Sequence, residues 1–163
     1  MYIIKLLINY FITMKRGVDY IGVGVGAIII NKDKKIFCHK RGQKAKNEQG
    51  KWDMPGGGVE FNETLEDTIV REILEEHDFV IEPVELLCVT NHILKEEGQH
   101  WVAPSFISKI KSGEPKILEP EKCEAIGWFT MEEIKDMDLS MTTRHDYEML
   151  LKKYPNGLPD LYI

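Results

Sequence analysis

From Tyr20 the chain reads IGVGVGAIIIN, in which glycine alternates with valine and then gives way to an unbroken aliphatic run. This pattern predicts a core strand, and the bare glycines predict close approach of another backbone. Asn31 to Lys34 is a polar turn and Lys35 to Lys40 a second strand, so a hairpin is expected. Gly42 to Gly50 is polar and loop-like, Pro55 stiffens the approach to Gly56, Gly57 and Gly58, and Gly58 to Phe61 forms a short strand. Leu65, Ile69 and Ile73 then recur at helical spacing. That helix is expected to start after Asn62 or Glu63 and to close at Asp78. Further on, Val84 to His92 reads as a strand, Leu94 to Gln99 as a charged loop, and His100 to Ile110 as a strand broken by Pro104. Proline there predicts an edge strand or a bulge. After loops at Ser112 to Pro115 and Leu118 to Cys123, Glu124 to Phe129 is a last short strand. Thr130 to Glu133 has the form of a capping box, and Thr142 or Thr143 to Tyr154 is a closing helix before the tail PNGLPDLYI. The chain shows no internal repeat, low-complexity tract or linker.

The helix after the glycines carries an unusual charge pattern. Residues three and four apart share a helix face, so Glu72, Glu75 and Glu76 project within an arc of roughly 100°. Glu76 falls at nearly the azimuth of Leu65 and Ile69, on the side an amphipathic helix gives to its core. Like charges at this spacing repel, and burial raises the cost unless a cation neutralises them. Oxygen donors without histidine or cysteine suit Mg²⁺ or Mn²⁺. A solvated glutamate-rich face would give the same spacing, and these residues alone do not separate the two.

The longer register does. Gly57, five residues, Glu63, seven residues and then REILEEHDF from Arg71 to Phe79 resembles the MutT/Nudix box, G-x5-E-x7-R-E-U-x-E-E-x-G-U, with U a bulky aliphatic. Asp78 stands where the box has Gly, and Phe79 is aromatic where an aliphatic is usual. Asp tolerates the left-handed conformation that ends such a helix, so the helix end is expected to survive. The resemblance extends over roughly Gly22 to Ile134, through GVGVGAIII, HKRG, WDMPGG, TNHI and EPEKCEAIGWF. It looks most like the nucleoside-triphosphate diphosphatase branch that includes mammalian MutT-homologue enzymes.

This resemblance implies an α+β fold, a Nudix-type α/β/α sandwich around a mixed β-sheet. It implies Mg²⁺-dependent cleavage of a nucleoside triphosphate, including an oxidised or otherwise modified one, to the monophosphate and pyrophosphate. Glu72, Glu75 and Glu76 would hold the metal with the Gly57 backbone, and Arg71 with Glu63 would fix the ligating helix. An outer ligand or base is expected in the loop before the last strand, at Glu124, with Glu121 and Glu119 in reserve. Arg41 is expected to reach a substrate phosphate, or else to be a solvated strand-end arginine. Met54 takes the usual leucine place lining the base pocket, where a plain core role serves equally, and Gly57 and Gly58 border the substrate. His100, Trp101 and Trp128 offer stacking surface or core. Two alternatives stay open: an ADP-ribose or nucleotide-sugar pyrophosphatase, though no S-Q-P-W-P-like stretch follows the box, and a non-catalytic nucleotide-binding regulatory module, which the intact R-E-x-x-E-E disfavours.

Composition narrows the setting. With 163 residues, 43% hydrophobic and 29% charged, the chain fits one globular domain, taken as residues 14–163. A net charge of −6 argues against a general nucleic-acid surface, so a polyphosphate must be bound locally. Cys38, Cys88 and Cys123 show no C-x-x-C and are odd in number, consistent with a reducing cytoplasm. The apolar run MYIIKLLINYFIT, residues 1–13, is shorter than the ~20 residues a membrane span needs. It is expected to be an added packing element, an interfacial anchor or a stretch upstream of a start at Met14. No membrane is expected as a partner, and exposed strand edges leave room for a homodimer.

Overall fold

Ile28, Ile29 and Ile30 are all fully buried because their strand is covered on both faces. Val25, Ala27 and Ile29 pack into one apolar cluster, whereas Ile28 and Ile30 pack into another on the opposite side. Successive side chains of a strand point to opposite faces, so a continuous aliphatic run is what a sandwiched strand requires. The computed structural model describes residues 14–163, and the expectations for 1–13 lie outside the described residues.

The elements run β1 (Gly22–Ile30), β2 (Ile36–Arg41), β3 (Trp52–Asp53), β4 (Gly56–Gly58), α1 (Leu65–His77), β5 (Phe79–Leu94), β6 (Gln99–Gly113), β7 (Cys123–Phe129), α2 (Met131–Lys135) and α3 (Met141–Lys153). Among the described residues the strands form one mixed sheet in the order β3-β2-β1-β6-β5, with β4 added to β1 and β7 to β2. Only β1 and β6 run parallel; the other pairs are antiparallel. On one face α1 lays Ile69 and Ile73 over Phe37, Phe79, Ile81 and Phe106. On the other, α2 and α3 contribute Ile134 and Leu150 over Ile28, Ile36 and Ile107. The result is the expected α+β sandwich of helices on both faces of a mixed sheet. Truncating Ile69 or Ile73 to alanine removes a fully buried side chain and costs about 2–5 kcal/mol.

Most local expectations survive with small shifts, but the short strand expected over Gly58 to Phe61 lies instead at Gly56–Gly58, where it pairs with β1. The β1–β2 hairpin closes through Asn31, whose Oδ1 accepts from the backbone N–H groups of Asp33 and Lys35. The capping box at Thr130 and Glu133 is present in both directions. The last helix starts earlier than expected, at Met141, because Ser140 caps it. The edge-strand reading of Pro104 is corrected: β6 lies between β1 and β5. The proline is accommodated by irregularity. The β1–β6 pairing runs at Gly22–Trp101 and Val23–Val102 and resumes at Gly26–Ser105, skipping the proline, while the β5 side shifts register between Leu86 and Cys88.

Candidate active site

The site begins where β4 joins the sheet, with Gly56, Gly57 and Gly58 pairing against Gly26, Val25 and Gly24 of β1. Gly57 is forced by its surroundings, since a Cβ there would lie within 3.0 Å of the Glu72 carboxylate carbon, closer than real contacts permit. The missing side chain is the space that the Glu72 carboxylate fills. The helix α1 starts at the N-cap Thr64, one residue beyond the expected boundary, where Thr64 Oγ1 accepts from Asp67 N at 3.0 Å. It ends at Asp78, which takes the left-handed conformation at φ 58° and donates its N–H to the Leu74 carbonyl at 3.1 Å. A salt bridge from Lys116 to the Asp78 carboxylate, at 2.6 Å, helps hold that strained end.

Arg71 ties the helix to the preceding loop. Its Nε and Nη2 donate to the two oxygens of Glu63 at 2.7 and 2.9 Å, a bidentate pair. Its Nη1 reaches Glu72 at 3.0 Å and Glu75 at 3.2 Å. Glu63 also accepts from Thr68 Oγ1 and from the Glu60 backbone. These bonds, led by Arg71, hold its carboxyl down to about 2. The neighbouring glutamates shift the opposite way. Burial pushes Glu72 up, and Glu76 is raised to about 7, first by burial and then by the charges of Glu72 and Glu119. Glu75 is more open, with 60% of its side chain exposed, and so stands at the rim. Two half-buried carboxylates thus resist ionisation beside one that Arg71 holds ionised.

Glu72 and Glu76 open into a cleft of about 870 Å³, with Arg41, Lys44, Lys46 and Lys122 also on its walls. Elsewhere the wall is formed by Met54, His92, Trp101 and Asp146. Arg41 is held rather than solvated, donating from Nη1 to Asp53 at 2.6 Å and from Nη2 and Nε to Asn47 at 2.7 and 3.0 Å. One N–H on each terminal nitrogen remains for a ligand. Met54 belongs to the apolar core and also lines the cleft wall. Gly58 borders the cleft and offers its carbonyl to Arg71.

Other candidates are placed differently. Glu124 pairs with Lys40 at 3.3 Å and is not on the cleft wall; Glu119, a reserve, is on the wall and paired with Lys122 at 2.8 Å. Glu121 is tied to Lys44. Trp128 packs on Phe37 in the core, and His100 lines a separate recess with Gly17 and Tyr20. Trp101 does reach the cleft, with its indole donating to Gln99 at 3.0 Å. Sequence reasoning missed Asp53, which is buried and accepts from Ser140, Thr143 and Arg41. It also missed Arg16, whose guanidinium reaches the Val59 carbonyl beside β4. Asp53 lies inside the WDMPGG run, but its partners are more than eighty residues away or across a strand, so no local spacing marks it.

The NUDIX domain family model matches residues 21–151. A MutT NUDIX hydrolase from Burkholderia pseudomallei is 40% identical in sequence, and its crystal structure superposes with a TM-score of 0.74 over 80% of this chain and 98% of that one. An ADP-ribose pyrophosphatase from Methanocaldococcus jannaschii is 33% identical over 126 residues, 77% of this chain and 69% of its own. The 8-oxo-dGDP phosphatase NUDT18 of Danio rerio is 31% identical over 121 residues, 72% of this chain. Several curated relatives are far longer, and the chain spans 24% to 34% of their length.

Proposed function

The chain belongs to the Nudix family, and from that premise we propose that it is a Mg²⁺-dependent pyrophosphohydrolase that cleaves a nucleoside triphosphate to the monophosphate and pyrophosphate. The observation that carries the reading is the pair Glu72 and Glu76, half-buried, both raised above the ordinary carboxylate range and open to a cleft with basic walls. The donors fit a hard divalent ion: they are oxygens only, and Gly57 leaves the Glu72 carboxylate its place. Glu72 and Glu76 would hold Mg²⁺ or Mn²⁺, assisted by Glu75 and the Gly57 backbone. Bound there, the ion neutralises phosphate oxygens and acidifies a water. Glu119, next to Lys122, takes the outer-carboxylate role assigned from sequence to Glu124.

The remaining residues act by position. Arg71 clamps Glu63 and so fixes the ligating face of α1 against β4. Arg41, Lys44 and Lys122 supply positive charge for the polyphosphate, which the overall charge of −6 would otherwise repel. Met54 and Trp101 offer apolar and aromatic surface for a base. The cleft volume lies within the roughly 300–1,000 Å³ usual for small-molecule sites.

The test is a panel of nucleoside triphosphates, nucleoside diphosphates, ADP-ribose, nucleotide sugars and 5′-triphosphorylated RNA with Mg²⁺, scored by kcat/KM and by product. The triphosphates should rank first and yield pyrophosphate. Preferred cleavage of ADP-ribose to AMP and ribose phosphate would replace this substrate with the one named for the archaeal relative. Absence of hydrolysis across the panel would sink the enzymatic reading.

A further inference from the structure

Beside Glu76, the end of α1 meets two strands and places three donors of a different chemistry together. His39 Nδ1 on β2 and His77 Nε2 on α1 are 3.0 Å apart, and one ring nitrogen of each histidine and the Cys123 Sγ on β7 all lie within 4.8 Å of one another. All three residues border the cleft. We propose that His39, His77 and Cys123 form a second cation site, distinct from the carboxylate site, for a soft divalent ion of the zinc class.

The donor set decides the class of ion. Two imidazole nitrogens and a thiol suit Zn²⁺ or Co²⁺, whereas Mg²⁺ prefers oxygen. His77 is oriented for ligation: its Nδ1 lies 3.2 Å from the Lys116 carbonyl, which can only accept, so Nδ1 carries the proton and Nε2 presents its lone pair. A backbone carbonyl on the far nitrogen is the usual support of a ligating histidine. The His77 ring is fully buried, with Phe37 edge-on at 5.0 Å between centroids. The hydrogen bond from His39 to His77 holds the two nitrogens close.

Tetrahedral zinc with Zn–N near 2.0–2.1 Å and Zn–S near 2.3 Å separates its donors by about 3.3–3.6 Å. The longest edge of the triad therefore draws in by about 1 Å, within reach of side-chain rotation. On binding, the His39–His77 hydrogen bond breaks and His39 moves its proton from Nδ1 to Nε2. Cys123 loses its thiol proton to solvent as the sulfur–metal bond forms, so one proton is released per ion and no electrons are transferred.

A fourth donor is at hand, because a Glu76 carboxylate oxygen stands 4.0 Å from His77 Nε2. A soft ion that recruits Glu76 removes it from the hard-cation site, and zinc then inhibits hydrolysis. That consequence rests on the function proposed above for Glu76; the site itself does not.

Co²⁺ is titrated into the full chain in saturating Mg²⁺, which occupies the carboxylate site. One equivalent should give a thiolate-to-cobalt charge-transfer band and the intense visible bands of a tetrahedral ion, displaced stoichiometrically by Zn²⁺. Cys123→Ser should abolish the thiolate band and weaken Zn²⁺ binding by at least ~10–100-fold. His39→Gln, at a less buried position, should weaken binding similarly and keeps the test open if the serine variant fails to fold. Weak octahedral bands in the wild type, or a spectrum that a folded Cys123→Ser variant leaves unchanged, would overturn the site. A cobalt spectrum as expected without zinc inhibition would remove Glu76 from the shell and leave the triad standing. Absence of hydrolysis in Mg²⁺ before any zinc or cobalt is added would strike the proposed function and not this site.

Discussion

Replacing Gly57 with alanine tests the carboxylate geometry with a single methyl group. The added Cβ would lie well inside 3.0 Å of Glu72 Cγ and Cδ. Restoring an ordinary carbon–carbon separation of about 3.5–4.0 Å moves the Glu72 carboxylate by on the order of 1–2 Å. A displacement of 1 Å at a reacting centre can lower the rate by about 10²-fold, so kcat/KM should fall by at least ~10²-fold. The fold should not suffer, because Gly57 is not among the glycines with positive φ, and alanine where the backbone permits it stabilises by about 0.4–1 kcal/mol. The expected signature is lost activity and weakened Mg²⁺ binding with an unchanged or slightly raised Tm. Gly56→Ala is the control: its Cβ would meet the Val25 backbone, and it should lower Tm instead. Steady-state hydrolysis, Mg²⁺ titration and thermal melts separate the two. A folded Gly57→Ala protein with wild-type kcat/KM and Mg²⁺ affinity would refute the role given to Glu72.

Three further outcomes follow from the same geometry. Glu76 holds a proton in the folded, metal-free protein up to about pH 7, against 4.5 for an ordinary glutamate, so its contribution is complete below pH 4.5 and lost as pH rises through 7. Metal-free wild type should therefore lose on the order of 3 kcal/mol relative to Glu76→Gln between pH 4.5 and 8, and Mg²⁺ should recover much of it; denaturant melts across that range measure both. Arg71→Lys keeps the charge but not the two-pronged contact with Glu63, and should lower metal affinity and activity by about 10–100-fold with the secondary structure intact by circular dichroism. Asp53→Asn breaks a buried ion pair with Arg41 and should cost about 3 kcal/mol, read as a Tm lowered by roughly 6–12 °C.

What the sequence reveals here is what is local. The helix α1, its Asp78 terminus, the β1–β2 hairpin and the Thr130 capping box follow from spacing within a dozen residues, and all are present. The box register likewise brings Glu63, Arg71, Glu72 and Gly57 into contact, since they sit on one helix, the loop leading into it and the short strand β4 just before that loop. Long-range features are illegible for a physical reason. Glu119 and Glu124 are five residues apart, and which one faces the cleft depends on how the chain enters β7. Pro104 breaks the strand pattern wherever the strand lies, so only the sheet order shows that β6 is central. His39, His77 and Cys123 come from three elements, and nothing in the spacing of any one announces the other two.

The central claim is that Glu72 and Glu76 make this a metal-dependent hydrolase of a phosphoanhydride. The most direct measurement is pyrophosphate release from a nucleoside triphosphate by wild type and Glu76→Gln, each with and without Mg²⁺, on protein shown to be folded. The account predicts Mg²⁺-dependent release of pyrophosphate and nucleoside monophosphate by the wild type, lost in the variant. Equal release by both proteins, or release that ignores Mg²⁺, would contradict it.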